Sequence, residues 1–393
     1  MRRFVWALLD YWQPVLVGLL MLIIVAGTLG YRLGSLTPGF SLNEVTYIHS
    51  AQSGKQIIAN PVFAPHKVLT YGLIKLKLTK PIYFRSVSTL MGVIVVMSGF
   101  FIIKRWHSRK IALLGSVLLL SSSWLLQTVR LATPEACFLL VLPLLWLASW
   151  MYSTSNRRLA LFLLFLSVSV AIYIPGFIWL ILLLVMWQRK SIANELSQVS
   201  VWFGLLLGFM SLIVLSPLAW ASWHDRQVLI TILGLPQQLS ILKDFPFNIV
   251  RLASALVWRS QSDAVSHLAN LPLLDVFSVL LAALGTYAAR FSWRLTRAKL
   301  MLSCFVILFL LASLGGSMSP VVLLPIIYLV MVAGLAFLLA QWFSVFPRNP
   351  LARFVGVALL AMIVAATSYY HISRYYVAWS QAPETRHSFN LHL

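Results

Sequence analysis

The stretch Pro14–Tyr31, PVLVGLLMLIIVAGTLGY, carries no charged residue in 18 positions. A helix rises about 1.5 Å per residue, so this run, continued to Leu33, covers the ~30 Å hydrocarbon core of a bilayer. The preceding MRRFVWALLDYWQ is basic at its start, and no small-residue cleavage site follows the run. It therefore reads as a retained first span and not a removed signal. Runs of the same kind recur at 84–103, 110–128, 135–152, 159–173, 174–187, 200–219, 273–290, 299–316, 320–342 and 352–370. Together they predict an all-α polytopic transmembrane bundle of about eleven spans, with residues 1–393 as one membrane domain. The runs 159–173 and 174–187 are short and meet at Tyr173, Ile174, Pro175 and Gly176, which suits either one kinked helix or a re-entrant pair.

Composition supports this class. Hydrophobic residues make up 60% and charged residues 10% of the chain, with a mean hydropathy of +0.89, whereas a soluble domain carries about 25% charged residues. The net charge of +21 has to be sorted by loop before it has meaning. With the N-terminus in the cytoplasm, 16 of the 30 basic residues fall on short inner connections, from Arg2 and Arg3 through Lys104, Arg105, Arg157, Arg158 and Arg189 to Arg348 and Arg353. That density sets the expected orientation. No basic stripe interleaved with aromatic residues stands outside this pattern, which argues against nucleic acid as a partner. Cys137 and Cys304 lie inside apolar runs without metal-ligand spacing and read as packing residues.

Three segments are then expected on the outer side: a first loop at 34–83, a second at 220–272, and a short tail at 371–393. His66–Lys80, HKVLTYGLIKLKLTK, has the pattern of an amphipathic interfacial helix, and Phe247–Trp258, FNIVRLASALVW, has the same character. The chain has only 9 acidic residues, so a carboxylate at the mouth of a membrane bundle is a functional candidate. Glu44 in GFSLNEVTYIHS and Glu135 in RLATPEACF are two such carboxylates on the same predicted side. Arg130, His66 and Lys67 share that side. Carboxylates beside Arg, His and Lys suit a lipid-borne phosphate, with the bases neutralising it and an acid activating a hydroxyl or holding a metal. His224, Asp225, Asp263 and His267 of the second loop match no ligand spacing and read as solvated loop groups.

In order along the chain, Asn43-Glu44 with Tyr47, His66 with Leu69 and Tyr71, Phe84 to Ser88 around Arg85, and Arg130 with Thr133, Pro134 and Glu135 form a set of four motifs. The set resembles that of the GT-C class of membrane glycosyltransferases, particularly the protein O-mannosyltransferase and lipid A aminoarabinose transferase branch. It covers about the first 150 residues. The resemblance implies a polyprenyl-phosphate-linked sugar donor, a lipid, glycan or protein acceptor, inversion at the anomeric carbon, an extracytoplasmic active site and a bacterial inner membrane as location. It assigns Asn43, Glu44 and Glu135 to catalysis and Tyr47, His66, Lys67, Tyr71, Arg85 and Arg130 to substrate binding. Two departures stand out. Lys67 and Val68 replace a pair of prolines, and Asn43 stands where the family carries its first acid, although an amide cannot take up a proton. A divalent metal is left open, because a pair of Glu residues without a third ligand does not define a site. The residues also admit a catalytically silent lipid-binding or scaffold subunit of an envelope glycan system, or a transporter.

Overall fold

The computed structural model of the chain describes residues 2–151, 156–260, 265, 268, 271–291 and 294–392. All eleven apolar runs are helical. α1 (Arg2–Gly30) holds the first. The first loop folds into α2 (Leu42–His49), α3 (Gly54–Ala59) and α4 (Ala64–Lys75) before α5 (Pro81–Trp106) forms the second span. Pro81 opens α5, where no backbone donor is needed, and Lys104 and Arg105 close it at its carbonyl end.

The third run is a broken helix. α6 (Arg109–Ser121) and α7 (Ser123–Val129) meet at 61°. Ser121, Ser122 and Ser123 occupy the break, and the Ser122 hydroxyl accepts the Leu125 amide, so α7 starts as a new helix. The fourth run begins as a 3₁₀ turn at Pro134–Leu140 and becomes α8 (Val141–Met151). The two short runs are separate helices, α9 (Arg157–Ala171) and α10 (Phe177–Ser197), joined through Gly176 at φ 76°. α10 outruns its predicted end at 187, because QRKSIANELS is polar but fully compatible with helix.

α11 (Val201–His224) leads into the second loop, which holds α12 (Arg226–Ile232) and α13 (Phe245–Val257). α14 (Val276–Phe291), α15 (Thr296–Ser313), α16 (Leu323–Val345) and α17 (Pro350–Ser373) hold the remaining apolar runs. The expected tail continues α17 through a π turn at Arg374–Trp379 into α18 (Pro383–Ser388), and Tyr375 and Trp379 are buried in the bundle.

α5 and α16 are buried along most of their length, while α11 and α17 keep wide apolar faces exposed. Five helices among the described residues are long and apolar enough to cross a bilayer, six if α6 and α7 count as one span. The segments predicted for one side do meet at one end. The Phe63 amide donates to the Tyr173 carbonyl at 2.9 Å, the Gly176 amide to Ile232 at 2.8 Å, and Phe40 pairs with Leu391. At the opposite end Arg157 faces Glu195 at 3.6 Å, and Arg297 reaches the Trp106 carbonyl.

α14 and α16 cross at two glycines. A Cβ on Gly334 would lie 2.1 Å from the Leu281 carbonyl oxygen, and one on Gly285 would lie 1.9 Å from that of Val330. Backbone at that distance has no rotamer with which to yield. Gly334→Val is expected to cost about 3 kcal/mol or more, whereas Gly208→Val, with nothing within 4 Å, leaves the midpoint of thermal unfolding in detergent nearly unchanged.

Candidate functional site

The first loop hangs on one ion pair. Ser41 and Glu44 form a capping box at the start of α2, with the Ser41 amide donating to Glu44 Oε2 at 2.9 Å. Arg85, on α5, sends Nε to Glu44 Oε1 at 2.9 Å and a terminal nitrogen to Oε2 at 3.0 Å. The Ala132 amide donates to Oε1 at 2.8 Å. The remaining Arg85 donors reach the carbonyls of Thr37 at 2.6 Å and Gly39 at 2.7 Å. Both side chains are 0% exposed, and the guanidinium lies between the Phe40 and Phe389 rings. The tail thus closes over the pair. At Gly39 a Cβ would come 2.3 Å from the Phe389 carbonyl oxygen, so only glycine admits this approach. With both oxygens engaged and no contact with solvent, Glu44 has the geometry of a tie and not of a base. Asn43, its neighbour, is exposed on α2.

The second predicted cluster is also enclosed. His66 is buried with Nε2 2.9 Å from Ser88 Oγ, and that hydroxyl donates onward to the Thr133 carbonyl at 3.1 Å. Ser88 must therefore accept from the ring, which fixes a proton on His66 Nε2. Burial pushes His66 down to about 3 and the adjacent Lys67 down to about 8. Lys67 Nζ donates to the Asn60 carbonyl at 2.8 Å. Tyr47 stands edge-on to the His66 ring at 5.2 Å. Its buried hydroxyl has no hydrogen-bond partner, and burial raises it well above the usual phenol value. Tyr71 is half-buried under the Lys75 ammonium. In α4 the polar residues His66, Lys67 and Thr70 face inward while Val68 and Leu69 face out. That is the sense expected of a helix whose outer surface meets lipid.

Arg130 does not face Glu135 as a pair would require. Its guanidinium donates to the carbonyls of Leu29 and, at 2.7 Å, Tyr31, and its Nε to the Tyr375 hydroxyl at 3.0 Å. It caps the carbonyl end of α1, where a cation is favoured.

Glu135 lines a cavity of about 420 Å³ at the same end of the bundle. Asn248, Arg251, Leu252 and Ala255 of α13 line it as well, as does Arg259 just past the end of that helix. Gln127 of α7 and Ser319 add polar groups. One carboxylate, two guanidinium groups and several amides and hydroxyls thus share a cavity that Glu44 does not enter. Positions 248, 251, 252 and 255 recur at helical spacing, so they form one stripe of α13, opposite the exposed Phe247, Val250 and Val257, and Arg259 follows after the helix has ended. The sequence reading identified this helix as amphipathic but did not name Arg251 or Arg259. Of the other loop groups, Asp225 caps α12 by accepting from the Gln227 amide at 2.8 Å, and His224 stays on Trp220. Asp263 and His267 lie outside the described residues. Among the described residues no three of His, Cys, Asp and Glu converge as metal ligands.

No protein-family model matches the chain, and no curated protein matches it in sequence. Solved structures do share its fold. The crystal structure of ArnT from Cupriavidus metallidurans bound to undecaprenyl phosphate is 12% identical at a TM-score of 0.53, covering 94% of this chain and 76% of that one. The apo structure of the same protein is 13% identical at a TM-score of 0.51, covering 99% and 78%. ArnT is a lipid A aminoarabinose transferase of the GT-C class. The chain therefore has the all-helical GT-C-like membrane fold that its four ordered motifs resemble.

Two outcomes follow from the enclosed groups. Glu44→Gln leaves the Arg85 charge buried and half-paired and is expected to cost about 3–5 kcal/mol; adding Arg85→Met should restore much of the loss, as read by thermal unfolding. His66 has a folded value of about 3 against 6.5 for the free side chain. Its contribution is whole above pH 6.5 and is lost as pH falls toward 3, by about 2 kcal/mol at pH 5. His66→Gln, which can still donate to Ser88, should flatten that part of the stability profile.

Proposed function

We propose that this protein is a membrane glycosyltransferase that moves a sugar from a polyprenyl-phosphate carrier to an extracytoplasmic acceptor, and that the reaction takes place in the cavity between Glu135 and α13. The observation that carries the reading is that the acid of the Arg130–Glu135 motif lines the same cavity of about 420 Å³ as Arg251 and Arg259. Two guanidinium groups suit the phosphate of the donor, since each can bind its oxygens in a forked geometry and stabilise the charge that builds as the glycosidic bond breaks. Glu135 takes the proton of the acceptor hydroxyl as it attacks the anomeric carbon from the face opposite the phosphate, which inverts that centre. Asn248 and Gln127 orient the sugar hydroxyls. Glu44, Arg85 and Arg130 position this end of the bundle, and Lys67, lowered to about 8 and so still mainly charged at neutral pH, meets the donor phosphate when it leaves the Asn60 carbonyl. In this reading the cavity opens on the outer face of a bacterial inner membrane, and the density of basic residues on the short connections supports that orientation.

A second reading, a silent lipid-binding subunit, draws on Asn43, an amide at the position where the resembling family carries an acid. Transfer of sugar from a polyprenyl-phosphate donor by the purified chain separates the two. Glu135→Gln is expected to lower turnover about 10²–10⁴-fold without moving the unfolding midpoint, and Arg251→Ala to raise the donor KM. Wild-type turnover in Glu135→Gln removes that residue from the chemistry. No turnover in the wild type, or in Asn43→Asp, favours the silent subunit.

A further inference from the structure

A second cavity, of about 400 Å³, opens where the end of α1, the connection to α2 and the tail meet, and it shares no lining residue with the cavity around Glu135. Arg32 and Arg386 stand in its wall with the hydroxyl residues Ser35, Thr37 and Ser380 and the Gln381 amide, and no acid lines it. Both arginines are exposed, and neither has an ion-pair or side-chain hydrogen-bond partner among the described residues. The backbone holds Arg32 at φ 53°, in the left-handed region that a side chain seldom occupies. This places a strained, unpaired cation at the cavity and not along the helix. Two unpaired guanidinium groups among hydroxyls form an anion site, and their forked donors match phosphate oxygens.

The surroundings narrow the choice of anion. The cavity sits at the end of α1, whose flank exposes Leu19, Leu20, Ile23 and Ile24, with Tyr31 exposed at the rim. An apolar, lipid-facing flank that rises to a cationic cavity fits an amphipathic anion and not a soluble one. We propose that this cavity binds the phosphate headgroup of an anionic phospholipid, with Arg32 and Arg386 on the phosphate and the acyl chains along α1. The headgroup then adds a further link between the end of α1, the connection to α2 and α18. The proposal needs only the membrane fold and stands whether or not the chain transfers a sugar.

The test uses the full-length protein in nanodiscs of phosphatidylcholine alone or with phosphatidylglycerol, with thermal unfolding and native mass spectrometry as readouts. Phosphatidylglycerol is expected to raise the midpoint of the wild type by a few degrees and to remain bound to it. Arg32→Gln/Arg386→Gln breaks no ion pair or side-chain hydrogen bond among the described residues, so it should match the wild type in phosphatidylcholine, yet lose both the increment and the bound lipid. A variant that keeps the wild-type increment, or a wild type that shows none, overturns the proposal. So does an equal increment from millimolar inorganic phosphate in phosphatidylcholine discs, which would assign the site to a soluble anion.

Discussion

A buried carboxylate and a buried guanidinium each lose several kcal/mol of hydration, and the Glu44–Arg85 pair explains much of how the loop end of this bundle is built. Neither ion is tolerable unless all of its hydrogen-bonding capacity is used. Satisfying Glu44 takes the Ser41 cap, two Arg85 nitrogens and the Ala132 amide. Satisfying Arg85 takes two carbonyls of the chain just before α2. The pair therefore fixes the first loop, α5 and the turn before Glu135 relative to one another. Its net stabilisation is small, because the mutual attraction mainly offsets desolvation. Its effect is registry, since a shift of any of these segments would leave a buried donor or acceptor of the pair unmet.

Arg130 does the same for α1. The last carbonyls of that helix have no partners within it, and Arg130 meets those of Leu29 and Tyr31 while lying over the Tyr375 and Tyr376 rings. The Tyr376 hydroxyl adds a bond to the Thr28 carbonyl at 2.8 Å. Two arginines from the motif set thus act on backbone carbonyls. They hold an end of the bundle that has no disulfide, both cysteines being free and buried.

The helices were legible because hydropathy belongs to each residue alone, and a run of Leu, Ile and Val is membrane-compatible whatever it packs against. The common end of the loops was legible because Lys and Arg mark the other end. The break at Ser121–Ser123 was hidden, since serine in an apolar run signals a bend only when its hydroxyl captures a backbone amide, as Ser122 does. The state of Glu44 was hidden more deeply. Its pairing with Arg85 spans 41 positions, and nothing local to GFSLNEVTYIHS tells a carboxylate that caps, pairs and disappears from one that faces substrate. The stripe of Asn248, Arg251 and Ala255 could have been read from its spacing. That it would share a cavity with Glu135 depends on where the second loop folds back, and no short-range signal carries that.

The same distinction governs the chemistry proposed here. A base needs a lone pair that a hydroxyl can reach, and at Glu44 the lone pairs are already taken by the groups that fold the loop. Asn43 offers no alternative, because an amide has no proton affinity at working pH. The acid with access to a cavity is Glu135, placed there by the Thr133–Pro134 turn at the head of its 3₁₀ segment. With Arg251 and Arg259 it leaves the three cavity side chains a net positive formal charge, and that sign suits the phosphodiester of a lipid-linked sugar donor and the phosphate monoester released when the glycosidic bond breaks. In the proposed reaction the loop acid has become scaffold, and proton transfer has moved to the end of the fourth span.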